Sequence, residues 1–317
     1  MFAHDDPPDP LGPTAGLAGV LSSYEAQGHA DPAEAWRAFT RTWNWAAPLT
    51  TAVPPAGLPR IPVTQPSSGG FALSGVWHLP SREEGETGPW VALPNVGGRR
   101  QPVRGLTEAG GPDLFVVPAK SLPGARGGHD HDASPGPGFR LIDLYVPTGF
   151  ATYTTGTPLR TGDASFLGTA VAAMALGAAR RMTDVLSFRP PGGNALREAG
   201  ARTALQTELA AVLHDERLSL TATLIGCPAA RDDLPPDVEE RLAVRARQAA
   251  NVVHHVLAEA YQHVLALGGN SDRHPLVAVI EASTPILQQA RYATELLPPD
   301  RTARRKAEHG DDRRVPG

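Results

Sequence analysis

Few residues in this chain have types and spacings that could do chemistry, and they are widely scattered. Cys227, the only cysteine, lies between Gly226 and Pro228. A lone thiol forms neither an intramolecular disulfide nor a cysteine-based zinc site. It reads as a nucleophile or as a small buried hydrophobe, and the second reading is preferred. His255, Glu259 and His263 recur every four residues, which would align them on one edge of a helix at metal-ligand spacing. They adjoin the apolar run Val252, Val253, Val256, Ala260 and Val264, and the preferred reading is polar residues at a core boundary. His129-Asp130-His131-Asp132 falls in a Gly/Pro-rich stretch and reads as a solvated loop before a weak metal site. Asn95-Val96-Gly97-Gly98-Arg99-Arg100 offers glycine amides and two guanidiniums to a phosphate, but no helix follows to lend its N-terminus. No metal site is expected.

The elements that must position these groups follow from periodicity. Residues 1–13 hold several prolines and an acidic pair and are expected to be disordered. A helix is expected over Ala15–Gln27, stopped by Gly28. A second follows Asp31 as N-cap, with Pro32 at the first helical position and Glu34 three residues after the cap. Trp36, Phe39 and Trp43 give that helix an aromatic face. Prolines at 48, 54, 55, 59, 62 and 66 then exclude helix. Gly69-Gly70 turns into a strand over 71–79, and further strands are expected at 90–93, 113–118 and 139–147. Strands so spaced, without helices between them, predict an antiparallel sandwich or barrel. Beyond Thr161 the period returns to helical, at 163–186, 195–214, 236–267 and 275–297, which predicts an up-down four-helix bundle. The fold class is α+β: N-terminal helices over 1–47, a β-rich middle domain over 48–160, a bundle over 161–298, and a flexible tail over 299–317.

Composition narrows the function classes. Apolar residues make up 41% of 317, enough for a sizeable core. A net charge of −4 leaves no footprint for nucleic acid. The start of the chain lacks the charged and apolar regions of a signal peptide. The longest uncharged stretch, Ala164–Ala179, is shorter than the roughly 18–20 residues that span a bilayer. It contains Gly168 and Gly177, which permit close helix packing. A cytoplasmic protein without membrane or nucleic-acid partners is expected.

Several strings, in order, resemble the acyl-CoA dehydrogenase superfamily, above all its flavin-dependent aromatic hydroxylase branch. Gly69-Gly70-Phe71-Ala72-Leu73-Ser74-Gly75-Val76-Trp77, with Ser81 four residues on, is similar to that family's hairpin. Leu114-Phe115-Val116-Val117-Pro118 and Asp143-Leu144-Tyr145-Val146-Pro147 resemble its strands ending in Val-Pro. Gly177-Ala178-Ala179-Arg180 resembles the first bundle helix, and Gly268-Gly269 with Pro275-Leu276 the loop before the last helix. The match runs from about residue 45 to 297. The resemblance implies short N-terminal helices, a β middle domain and a C-terminal four-helix bundle. It also implies a flavin, FAD or FMN, with Trp77 and Ser81 as its contacts, a small-molecule or acyl-CoA-type substrate, and a turn at 95–100. A core role between sheet and helices serves Trp77 equally well.

The departures from the family pattern matter as much. The N-terminal helical region is about half the usual length. Gly124 to Asp132 replaces a glycine-rich family segment. Where the hydroxylase branch carries an Arg-Asp pair and then a basic His, counting from Pro275-Leu276 gives Glu281-Ala282 and Gln289. Gln cannot take a proton at neutral pH. Glu281 becomes a candidate base only if the helix is rotated. The expected function is therefore a flavoprotein oxidoreductase of reduced activity, with CH–CH donor or monooxygenase-like chemistry. The alternative is a degenerate relative serving structure or interaction. Catalytic residues stay unassigned, and a homo-oligomer through the C-terminal helices is expected.

Overall fold

The computed structural model describes residues 16–54, 63–67, 69–79, 90–95, 112–122, 138–186, 195–227, 234–266 and 274–295. Two compact units emerge, Met1–Trp36 with Gly162–Gly317, and Arg37–Thr161. The expected disordered start and flexible tail lie outside the described residues.

In the first unit, α1 (Leu17–Ala30) runs two residues past Gly28. Gly28 does not cap the helix, because it is where the helix touches its neighbour. α2 (Pro32–Thr42), which passes from the first unit into the second after Trp36, begins as expected: the Glu34 N–H donates to Asp31 Oδ1 at 3.0 Å, satisfying one of the open amides of the first turn. The long helices are α3 (Ala164–Leu186), α4 (Ala195–Leu224), α5 (Pro236–Ala266) and α6 (Pro275–Glu295). α4 therefore continues ten residues beyond its expected end at 214. α3 packs against α1, α4, α5 and α6. A helix surrounded in this way must be apolar all round, and every residue from Ser165 to Ala179 is buried. The Ala/Gly-rich surface of residues 165–179 is thus covered within the chain.

Two glycines set the α1–α3 distance. A Cβ added at Gly28 would collide with the Met174 backbone, 2.8 Å from its Cα, and one at Gly177 would overlap Glu25 O and lie 2.7 Å from His29 N. Neither helix can carry a side chain there, and that closeness draws Leu17, Val20, Leu21 and Tyr24 into the core. Tyr24 meets Phe166 edge-on, with ring centres 6.4 Å apart.

Among the described residues the second unit holds nine strands: β1 (Trp43–Asn44), β2 (Thr50–Thr51), β3 (Val63–Ser67), β4 (Gly70–His78), β5 (Trp90–Pro94), β6 (Leu114–Pro118), β7 (Gly138–Pro147), β8 (Ala151–Thr152) and β9 (Thr157–Pro158). They form a three-stranded sheet β3-β4-β7, a four-stranded sheet β2-β5-β6-β8, and the pair β1-β9. The three-stranded sheet is antiparallel, as expected. The expectation of an antiparallel unit throughout fails at two places: β1 runs parallel to β9, and β2 parallel to β5. Strands of two residues carry no periodicity, so their pairing is set by where the flanking chain leaves them.

The Gly69-Gly70 turn forms as read, with Gly69 at φ 71°. Opposite Ser74 the ladder slips between Leu73 and Gly75, and β7 carries the extra residue. Asp143 takes φ 49° there. Ser74 holds it from both ends: its hydroxyl donates to Asp143 Oδ1 at 2.8 Å and accepts the Asp143 N–H at 2.8 Å. The two strings that contain Leu-Ser-Gly and Asp-Leu-Tyr-Val-Pro therefore meet as one bulge. Inside the unit, Phe71, Leu73, Trp77, Leu93, Phe115 and Phe139 belong to one apolar core.

Candidate functional site

Trp77 lies near the end of β4, where alternation turns its ring inward. It is 2% exposed. The Phe139 ring, directly across the β4–β7 ladder, stacks beside it at 6.4 Å between centres and 15° between planes. Its indole Nε1–H is buried and has no hydrogen-bond acceptor among the described residues. Leaving such a donor unpaired costs about 1–3 kcal/mol, so an acceptor brought by a bound molecule would be favoured there. For a flavin, the fit is thus confined to the indole edge: the buried N–H lacks an acceptor among the described residues, while the ring is already packed in the core. Ser81, its expected companion, lies outside the described residues.

The other sequence candidates are separated. Gln289 is 1% exposed on α6, whereas Glu281 on the same helix faces solvent. His255 is exposed, and Glu259 and His263 are half-buried. The His263 ring meets that of His274 edge-on at 5.8 Å. Among the described residues, no three His, Cys, Asp or Glu side chains lie close enough to hold a metal ion. Cys227 is half-buried, and its S–H donates to Thr223 O at 3.6 Å. Burial raises its thiol pKa, which Arg241 only partly offsets, so the thiolate a nucleophile needs is disfavoured. Asn95 Nδ2 donates to Pro112 O at 2.7 Å. Residues 96–100 and 129–132 lie outside the described residues.

A more organised polar site sits in the helical unit. Glu25 of α1 is 2% exposed, and both its oxygens are held: Arg180 Nη1 of α3 donates to Oε1 at 2.6 Å and Arg217 Nε of α4 to Oε2 at 2.5 Å. Burying a carboxylate without such partners would cost several kcal/mol. Beside it, Arg181 Nη1 caps the end of α1 by donating to His29 O at 3.0 Å and Ala30 O at 2.6 Å. His29 Nε2 meets Asp184 Oδ2 at 2.7 Å. A cleft of about 420 Å³ opens next to these groups, lined by Arg180, Thr183, Asp184, Leu213, His214 and Arg217, with Ala210 at its edge. One signal for it was legible: Glu25 is a lone acid on the apolar face formed by Leu17, Val20, Leu21 and Tyr24, and it needs a cation. Nothing local points to Arg217, which lies 192 residues away in sequence.

No protein-family model and no curated protein matches the sequence. Among solved structures, the chain is similar to the HsaA monooxygenase from M. tuberculosis, at 12% identity and a TM-score of 0.39, over 96% of this chain and 84% of that one. It is likewise similar to TdsC from Paenibacillus sp. A11-2, solved with FMN and indole, at 13% identity and 0.39, over 95% and 85%. An acyl-CoA dehydrogenase from Slackia heliotrinireducens gives 14% identity and 0.37, over 94% and 82%. XiaF from Streptomyces sp., solved with FADH2 and glycerol, gives 18% identity and 0.36, over 96% and 84%. At these TM-scores the chain's own residues must carry any functional reading.

Proposed function

We propose that this chain is a flavoprotein oxidoreductase of the acyl-CoA dehydrogenase type, with weak flavin binding and reduced activity. The observation that carries the reading is the buried indole N–H of Trp77, without an acceptor among the described residues, on the strand whose sequence resembles the family's flavin hairpin. The setting of that strand supports it, because the Ser74–Asp143 bulge ties the hairpin string to the second Val-Pro strand string. When bound, the flavin supplies the redox chemistry. Trp77 offers a hydrogen bond from a fixed edge, and Phe139 holds the ring against rotation. FAD and FMN are equally compatible with one donor, and a small-molecule or acyl-CoA-type substrate follows from the resemblance.

A second reading, a degenerate relative serving structure or interaction, draws on Gln289. The position matched to the hydroxylase base is buried on α6 and carries an amide that cannot ionise. Oligomerisation through the C-terminal helices fits either reading.

The test is a flavin titration of the purified protein and of Trp77→Phe, which keeps an aromatic ring and deletes the N–H. A hydrogen bond of about 1 kcal/mol predicts flavin affinity reduced about fivefold, with the melting temperature unchanged or slightly raised. No flavin bands and no saturable binding in the parent protein would defeat the reading. Unaltered affinity in the variant would leave Trp77 as packing alone.

A further inference from the structure

The geometry points to the α3–α4 cleft as a binding site for a small organic molecule bearing an oxyanionic group, a phosphate or a carboxylate. This site is separate from Trp77 and does not depend on the flavin reading.

Glu25 holds one N–H of Arg180 and one of Arg217, which fixes both guanidiniums while leaving their remaining N–H groups without a partner among the described residues. Their side chains are 46% and 37% exposed, so those groups are reachable from the cleft. Two positive charges on one buried carboxylate leave a formal +1 on the three side chains. Asp184, the acid in the cleft lining, is engaged by His29. His214 lines the same cleft and has no hydrogen-bond partner among the described residues. Preorganised guanidiniums present planar donor pairs that match phosphate and carboxylate oxygens. A flexible Arg must give up side-chain entropy on binding, whereas these two are already held by Glu25.

The volume decides against a bare ion. About 420 Å³ lies within the roughly 300–1,000 Å³ of small-molecule pockets. Leu213 and Ala210 add apolar groups to the lining, which suits an organic group attached to the anion.

The experiment is calorimetric titration of the full-length protein at low ionic strength with inorganic phosphate, phenyl phosphate and benzoate. Saturable binding of phenyl phosphate tighter than of inorganic phosphate is expected if the ligand is a phosphate ester. Tighter binding of benzoate than of either assigns a carboxylate. Ala210→Glu places a negative charge at an exposed helical position on the cleft edge and should weaken binding about tenfold with the circular dichroism unchanged. His214→Ala should weaken it about threefold. Absence of saturable binding by all three probes overturns the proposal. So does binding that Ala210→Glu leaves intact, or inorganic phosphate binding at least as tightly as both organic probes.

Discussion

Gly177→Ala tests whether α1 is seated on α3 as closely as the backbone places it. Two effects oppose each other. Removing a glycine from a helix interior gains about 1 kcal/mol of helix propensity. Against this, the new methyl would overlap Glu25 O and lie 2.7 Å from His29 N, and both are backbone atoms that cannot swing aside. Ordinary carbon contacts fall at about 3.5–4.0 Å, so α1 must retreat by about 1 Å. Overpacking of this kind costs about 1–3 kcal/mol. The retreat also draws Glu25 from Arg180 and Arg217. Breaking a buried pair outright costs about 3–5 kcal/mol; the two arginine side chains are half-exposed and follow part of the way, so about 1–2 kcal/mol of this applies. The balance is a loss of about 2–3 kcal/mol, or about 5–10 °C in melting temperature for a unit of this size. Thermal unfolding followed by far-ultraviolet circular dichroism measures it. A variant as stable as the parent, or more stable by the propensity gain, would refute the α1–α3 contact.

Three further outcomes are expected. Glu216 is buried, and desolvation raises its pKa above 4.5, with Arg245 pulling the other way. A folded-state pKa above the unfolded value gives a contribution fully present below about 4.5 and lost as pH rises through the folded value. Glu216→Gln should therefore raise the melting temperature at neutral pH and flatten its decline above pH 4.5; an undiminished decline would assign the pH dependence elsewhere. Incubated with reduced flavin, oxygen and a panel of phenols, the protein should release hydrogen peroxide with little coupled hydroxylation. Gln289→His should gain no coupling, and coupled turnover by the parent would show that another residue is the base. Leu218, Ile225, Tyr261 and Leu265 are half or more exposed on the helical unit, and light scattering should give a dimer or tetramer, against the 33.4 kDa of a lone chain.

What the sequence determined by itself was local. Asp31, Pro32 and Glu34 specify a helix start because the capping bond spans three residues. Gly69-Gly70 specifies a turn because the left-handed backbone there suits glycine. The helical period beyond Thr161 specifies four helices, since neighbours at three and four residues share a face whatever lies opposite. Tertiary structure decided everything that depends on a distant partner. Gly28 read as a stop signal, and only the approach of Met174 explains why the helix passes through it. Ser74 and Asp143 each look like ordinary strand residues until the register slips and joins them. Glu25 demanded a cation, but a buried carboxylate takes whichever guanidinium the fold delivers. Arg180 lies 155 residues away and Arg217 192, so packing alone placed both beside the same carboxylate and opened the cleft next to them.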